Sequence, residues 1–214
     1  MTVILAKQKL SYIPVPKVAC TSLKAFFFEV ENGFPFRDFR TSGRPWWIHH
    51  FYPSIPFADQ KLALMEEHTR IAVVRDPVRR LLSCYSNRVM HHKELSEKRA
   101  GPALAEADLP CDPDLSTFVQ RLPDYCAAVA SIWHHAMPMV EYLGRDPQFY
   151  THLYKIEATP DMQADVQRLT GSKAELKRLQ TGGPKFGIDR LNAQEIARLK
   201  DFYDEDYAIF GAYC

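Results

Sequence analysis

The sequence has few cysteines, and their spacing excludes the usual uses of cysteine in small folds. The chain has five cysteines, which is an odd number, and no two of them form a Cys-x-x-Cys pair. They are Cys20, Cys84, Cys111, Cys126 and Cys214. A disulfide framework and a zinc site of ordinary ligand spacing are therefore disfavoured. Thiols outside disulfides are typical of a reducing compartment, so the sequence predicts a cytoplasmic protein.

The sequence also lacks a long apolar run and an excess of charge of either sign. No stretch approaches the roughly 18 apolar residues of a membrane span, and residues 1–7 do not have the pattern of a leader, so no membrane anchor is expected. Lys and Arg total 27 against 26 Asp and Glu, which leaves a formal net charge of +1. A charge this small predicts no nucleic-acid partner, and any anion site must be local.

The 214 residues, 46% of them hydrophobic, are typical of a globular protein, and one domain over residues 1–214 is expected. Strand patterns that alternate with helix patterns predict an α/β fold, with a central, mostly parallel sheet flanked by helices. Pro14 and Pro16 would place the first predicted strand, residues 10–15, at a sheet edge. Residues 34–57 are predicted to be a structured loop, and residues 91–113 a mobile excursion.

The turn from Pro16 to Ser22 lies between the first predicted strand and a helix that we expect Thr21 or Ser22 to cap. At such a turn, backbone N–H groups and the positive end of the helix dipole favour an anionic oxygen. Lys17 adds a positive charge, and the hydroxyls of Thr21 and Ser22 can donate to the same anion. The turn is not a Walker A sequence, because its lysine comes first and the glycines are missing.

A second turn follows the strand predicted at residues 70–74. Arg75 stands at the carboxyl end of this strand, where open α/β sheets bind ligands. Asp76 and Pro77 are typical of a helix start, and Ser83 follows on that helix. Arg75 and Ser83 are predicted to bind a second phosphate. The alternative is a local ion pair between Arg75 and Asp76, with Ser83 facing solvent.

Together the two segments resemble the cofactor motifs of the PAPS-dependent sulfotransferases, where PAPS is 3′-phosphoadenosine 5′-phosphosulfate. Residues 13–24 (IPVPKVACTSLK) are similar to the family's 5′-phosphosulfate motif, and residues 74–87 (VRDPVRRLLSCYSN) to its 3′-phosphate motif. The resemblance is closest to the carbohydrate branch, and weaker similarity extends to residues 153–157 and 202–210. It implies a sulfotransferase fold related to that of P-loop kinases, PAPS as the sulfate donor, and no metal.

The resemblance also implies site residues. Lys17 would stabilise the leaving oxygen, and Arg75 and Ser83 would bind the 3′-phosphate. The residues that would bind the 5′-phosphosulfate are Lys17, Val18, Ala19, Cys20, Thr21 and Ser22. Residues 181–190 form a Gly-rich loop in a region that the family often closes over the cofactor. Lys185 and Arg190 are therefore further candidate 3′-phosphate contacts, and the alternative for this loop is a solvated connection.

An alcohol acceptor needs a base, and histidine suits this role because its usual pKa is about 6.5. His49 and His50 lie between the two motifs in a Trp-rich loop, a location similar to that of the catalytic histidine in some carbohydrate sulfotransferases. We rank this pair first, with a slight preference for His50, and the pair His134 and His135 second. The histidines to which we give no role are His68, His91, His92 and His152.

The predicted reaction is transfer of a sulfuryl group from PAPS to a hydroxyl or amine of an acceptor. A carbohydrate or a small metabolite is the expected acceptor, a lipid head group stays open, and Trp46, Trp47 and Trp133 are candidates to stack on a sugar. The alternatives are a non-catalytic module that binds PAPS or another nucleotide, and a nucleotide kinase-like phosphotransferase. The missing Walker lysine disfavours the kinase. The sequence leaves the oligomeric state open.

Overall fold

The computed structural model describes residues 2–179 and 182–214, so Thr181, the first residue of the predicted Gly-rich loop, lies outside the described residues. The described residues divide into two compact units. The first comprises residues 2–75, 139–179 and 212–214, and the second comprises residues 76–138 and 182–211. Each unit is assembled from separated stretches of the chain. A single domain over residues 1–214 stays a prediction.

The first unit carries all the strands of the described residues. They are β1 (Val3–Leu5), β2 (Leu10–Ile13), β3 (Phe39–Thr41), β4 (Arg44–Trp46), β5 (Thr69–Val74) and β6 (His152–Lys155). One sheet has the order β1-β2-β5-β6, in which β2, β5 and β6 run parallel and β1 pairs antiparallel with β2. A mixed, mostly parallel sheet with helices confirms the predicted α/β class.

Strand β2 lies inside this sheet, so its predicted place at an edge is wrong. It is paired on both sides, with β1 and with β5. The strand ends at Ile13, and Pro14 and Pro16 follow it. The prolines therefore end the strand and do not interrupt its hydrogen-bonded ladder.

Helices fill most of the remaining chain. The α-helices of the described part are α1 (Cys20–Asn32), α2 (Ile48–Phe51), α3 (Pro77–Cys84), α4 (Glu97–Glu106), α5 (Leu115–Gln120), α6 (Leu122–Ala128), α7 (Ala130–Ala136), α8 (Val140–Leu143), α9 (Thr159–Thr170), α10 (Ala193–Phe202) and α11 (Asp204–Phe210). A π-helix spans Tyr85–His91. Turns of 3₁₀-helix lie at Phe57–Asp59, Leu62–Met65, Pro147–Phe149, Ile156–Ala158, Ile188–Arg190 and Gly211–Tyr213. Within residues 2–179 and 182–214, no helix is long and apolar enough to cross a bilayer.

Helix α1 is anchored to the sheet of the first unit by aromatic packing. Phe27 is fully buried and stacks on Tyr12 of β2, with the ring centroids 4.7 Å apart. Full burial of one such side chain stabilises the fold by about 1.5–3 kcal/mol. The helix ends at Gly33, which takes the left-handed conformation (φ 77°) and whose N–H donates to the Glu29 carbonyl. The packing fixes the position of the start of α1 at the sheet.

Residues 34–57 are more regular than the predicted loop. Strands β3 and β4 form a hairpin whose turn residues, Ser42 and Gly43, both have positive φ, as a tight two-residue turn requires. Helix α2 follows directly and carries His49 and His50. The prolines of this segment argued against a strand in the sequence. Pro45 is tolerated within β4 because both strands of a two-stranded sheet are edge strands.

The second unit is helical, and its core contains an apolar stripe that runs from α3 into the π-helix. The buried members of that stripe are Val78, Leu81, Leu82, Tyr85 and Val89. Residues 91–113, predicted as a mobile excursion, contain α4. Its Leu104 and the preceding Leu95 are fully buried in the same core. This segment therefore contains a helix that is anchored in the core through Leu95 and Leu104, and any movement of it stays a prediction.

Candidate active site

The connection from β2 to α1 has an unusual backbone. Lys17 has φ 66° and Ala19 has φ 48°, so two non-glycine residues within three positions take the left-handed conformation. Each such residue costs about 1–2 kcal/mol, and strain of this kind clusters at functional sites. Between them Val18 is fully buried, which holds the turn against the core. Left-handed residues are one component of the backbone nests that bind anions.

Helix α1 begins two or three residues earlier than predicted, and Thr21 and Ser22 do not cap it. Its N-cap is Ala19, and no side chain of the described residues caps this start. The Ser22 hydroxyl instead accepts from the Leu179 N–H at 2.8 Å. Helix geometry leaves the N–H groups of a first turn without intrahelical acceptors, and this first turn carries no acidic residue. The end of α1 at the loop is therefore electropositive.

Arg75 lies beside this loop. Its guanidinium donates from Nη1 to the Lys17 carbonyl at 3.2 Å. Strands β2 and β5 are parallel neighbours, so their carboxyl ends lie at the same edge of the sheet, where Ile13 pairs with Ala72. The topology thus brings the first motif together with the arginine of the second. Lys17 and Arg75 both follow strands that end at the same edge of the sheet.

His49, and not His50, reaches the loop from helix α2. The His49 Nε2 atom lies 2.8 Å from the Thr21 hydroxyl, and its Nδ1 atom lies 3.1 Å from the Lys24 ammonium nitrogen. His50 is exposed, and its Nε2 accepts from the Trp47 indole N–H at 2.8 Å. The two members of the doublet therefore face different surroundings, although the sequence slightly favours His50 as the base.

Lys24 is a site residue that the sequence reasoning missed. Its side chain is fully buried, and its ammonium donates to the Ser54 hydroxyl at 2.9 Å in addition to its contact with His49. Burial lowers the pKa of Lys24 to about 8, against an opposing effect of the nearby Cys20. The available signal was a lysine within an almost entirely apolar stretch, LKAFFF, where a helix offers little solvent-facing surface.

Aromatic side chains continue from His49 along the hairpin. The rings of Trp47 and His49 are 4.6 Å apart, and Trp46 stacks on Phe39 with nearly parallel rings at 6.1 Å. Phe39 is 43% exposed, so this aromatic surface faces solvent. Flat, partly exposed rings of this kind are suited to contact with the apolar face of a sugar.

The other predicted site residues belong to the second unit. Ser83 is half-buried on α3, and Lys185 and Arg190 are both exposed. The loop before Lys185 is fixed to the π-helix, because Ser86 donates to the Pro184 carbonyl and a side chain at Gly183 would clash with Ser86. His134 and His135 lie on α7, where the His135 Nδ1 atom is 2.7 Å from the Ser131 carbonyl. Their roles stay predictions.

The first motif, with the Arg75 guanidinium beside it, presents donors and positive charge and has no acidic residue between Ile13 and Lys24. This loop suits a large, multiply charged anion. In the comparison with family models, the model of the Sulfotransferase family matches residues 1–213. The chain belongs to the sulfotransferase family. Comparison with curated proteins and with solved structures gives no match.

For a sulfotransferase, the site chemistry is sulfuryl transfer, in which negative charge grows on the leaving oxygen as the acceptor oxygen attacks. The loop of this sulfotransferase combines a helix terminus with Lys17, and Arg75 lies beside it. His49, hydrogen-bonded to Thr21, is a group that can take a proton at the same place. No group of three or more His, Cys, Asp or Glu side chains that could hold a metal ion occurs in the part of the chain that the structure describes.

Proposed function

We propose that this sulfotransferase uses PAPS as its donor and transfers the sulfuryl group to a hydroxyl of a carbohydrate or a small carbohydrate-like metabolite. The observation that carries the proposal is the contact of Arg75 with the Lys17 carbonyl, which unites two motifs 58 residues apart. When bound, PAPS supplies a sulfuryl group and a phosphate leaving group. Because no disulfide joins the five cysteines, we propose the cytoplasm as its compartment.

The loop residues suit the 5′-phosphosulfate end of such a donor. The left-handed conformations at Lys17 and Ala19 are typical of anion-binding turns, and the start of α1 adds its partial positive charge. The Lys17 ammonium would stabilise the charge that develops on the leaving oxygen. Arg75 supplies a planar guanidinium, which is suited to bind a phosphate through two parallel hydrogen bonds. We keep Arg75, with Ser83, as the proposed 3′-phosphate contacts.

His49 is the base that we propose, in preference to His50. It is the histidine that touches the loop, through the Thr21 hydroxyl, and its ring packs against Trp47. An acceptor sugar stacked on the exposed rings of the hairpin would present its hydroxyl near the Nε2 atom of His49. We expect His49→Ala to lower kcat by about 10²- to 10⁴-fold, the range for a lost general base. The His50→Ala rate should stay within a few-fold of the wild type.

The deciding experiment follows label from [35S]PAPS into a panel of monosaccharides, oligosaccharides, phenols and lipid head groups, with calorimetric binding of 3′,5′-ADP measured in parallel. Transfer to a carbohydrate hydroxyl that is lost in His49→Ala supports the proposal. Tight binding of 3′,5′-ADP without transfer to any acceptor would indicate a non-catalytic module. Transfer of the γ-phosphate from ATP in a parallel assay would indicate a kinase.

A further inference from the structure

We propose that Lys24 is a positioning residue that decides which ring nitrogen of His49 can accept a proton, so that loss of the Lys24 proton converts His49 into an active base. The inference rests on the proposed role of His49 and adds the group that controls it. Lys24 lies in the first turns of α1 and is fully buried, so it cannot touch the acceptor from solvent. Its effect on the reaction would pass through the imidazole.

The two nitrogens of His49 have separate partners. Nε2 is directed to the loop, 2.8 Å from the Thr21 hydroxyl, whereas Nδ1 is 3.1 Å from Lys24 Nζ. A charged ammonium has three donors and no acceptor, so Nδ1 must accept when Lys24 is protonated. A neutral imidazole then carries its proton on Nε2. In this state the nitrogen that faces the loop is a donor and cannot take the acceptor's proton.

Loss of one proton from Lys24 to solvent reverses the arrangement. The neutral amine has a lone pair and can accept from Nδ1–H, so the imidazole proton moves to Nδ1 and Nε2 becomes an acceptor. The acceptor hydroxyl can then give its proton to Nε2 as its oxygen bonds to sulfur and the bond from sulfur to the phosphate oxygen breaks. The imidazolium that results lies beside a neutral amine, which avoids two like charges 3.1 Å apart.

The surroundings of Lys24 bring the loss of its proton into a pH range that kinetic measurements can reach. Burial lowers the pKa of Lys24 to about 8, so the amine is mostly charged at pH 7 and mostly neutral at pH 9. Among the described residues, His49 from α2 and the Cys20 thiol one turn earlier on α1 are titratable groups that face it, and Ser54 adds an uncharged hydroxyl. Glu31, at the other end of α1, is hydrogen-bonded to the Tyr52 hydroxyl at 2.6 Å.

The first test is the pH profile of kcat/KM. For the wild type we expect a rise of about tenfold between pH 7 and pH 9, which is the increase in the neutral fraction of a group with a pKa of about 8. Lys24→Met fills similar space without a charge and should abolish the rise. Lys24→Arg stays charged and should hold the rate at or below the wild-type pH 7 value throughout.

One further variant separates Lys24 from other lysines. Lys7→Met removes an exposed lysine in the turn before β2 and should keep the tenfold rise. A rise that persists in Lys24→Met would overturn the proposal.

The second test does not depend on transfer activity. Nitrogen-15 NMR of the His49 ring, assigned by loss of its signals in His49→Gln, should show the proton on Nε2 at pH 7 and on Nδ1 at pH 9.5. Lys24→Met should abolish this exchange. A proton that stays on Nε2 at pH 9.5 would overturn the proposal. If the exchange occurs but no acceptor is ever sulfated, the proposed function fails and the coupling of Lys24 to His49 stands.

Discussion

Helices α1 and α3 each follow a strand of the sheet along the chain, yet they begin in opposite ways. The start of helix α3 is capped by a carboxylate of the chain itself. The Asp76 carboxylate accepts from the Arg79 N–H at 2.8 Å and from the Tyr207 hydroxyl at 2.9 Å. Helix α1 begins at a left-handed Ala19, with no capping side chain in the described residues and no acid in its first turn. The comparison indicates that the start of α1 is suited to an external anion, whereas the start of α3 is already neutralised.

Under the proposed function, this difference predicts different binding modes for the two motifs. At the first, backbone N–H groups and the helix terminus can act together with Lys17. At the second, the helix terminus is occupied by Asp76, so binding must depend on side chains, of which Arg75 is placed beside the first loop. The first motif is therefore expected to govern the chemical step, and the second to govern affinity for the nucleotide.

In the comparison of the two motifs, the larger expected effect is on turnover, at the first motif. Lys17→Ala should lower kcat by about 10²- to 10³-fold, which is the usual effect of removing one group that stabilises developing charge. Binding of 3′,5′-ADP should weaken much less, because the charge develops only during transfer. Steady-state kinetics and calorimetry measure the two quantities, with the exposed Lys7→Ala as the matched control. A Lys17→Ala enzyme with near-normal turnover would remove the first motif from the chemical step.

The second effect is on affinity, at the second motif. Arg75→Ala should weaken binding of 3′,5′-ADP by about 10- to 100-fold, the value of one or two lost charge-assisted hydrogen bonds, and should change binding of 5′-AMP little. The exposed Arg79→Ala is the control. Equal losses for both nucleotides would mean that Arg75 serves only to hold the loop through the Lys17 carbonyl, and the division between the two motifs would fail.

The local signals in the sequence predicted the two helix starts unequally well. The Asp76 side chain favours the N-cap position, and the ring of Pro77 favours the first helical position. The cap and the first residue of α3 are therefore found where expected. At α1 the hydroxyls of Thr21 and Ser22 suggested a cap. Their partners, His49 and Leu179, come from distant parts of the chain that a local pattern does not contain. Long-range packing decided the outcome there.

The same reason explains what could be predicted of the candidate site. The proximity of the two strand-end turns could be predicted from the sequence. Strands β2 and β5 are parallel, and parallel strands have their carboxyl ends at the same edge of the sheet. Which member of the His49 and His50 doublet faces the loop depends on the rotation of the short helix α2. The role of Lys24 depends on its burial beneath that helix. Neither property is carried by spacing along the chain.

The smallest expected effects are on stability, and they have opposite signs at the two helix starts. Asp76→Ala removes a cap and should lower the free energy of unfolding by about 1 kcal/mol, whereas Asp76→Asn, which keeps an accepting oxygen, should lose less. Ala19→Gly removes the Cβ that disfavours φ 48° and should raise it by up to about 1 kcal/mol. Urea unfolding measures both. A destabilised Ala19→Gly would mean that the left-handed backbone before α1 is not strained, and the contrast between the two starts would then rest on capping alone.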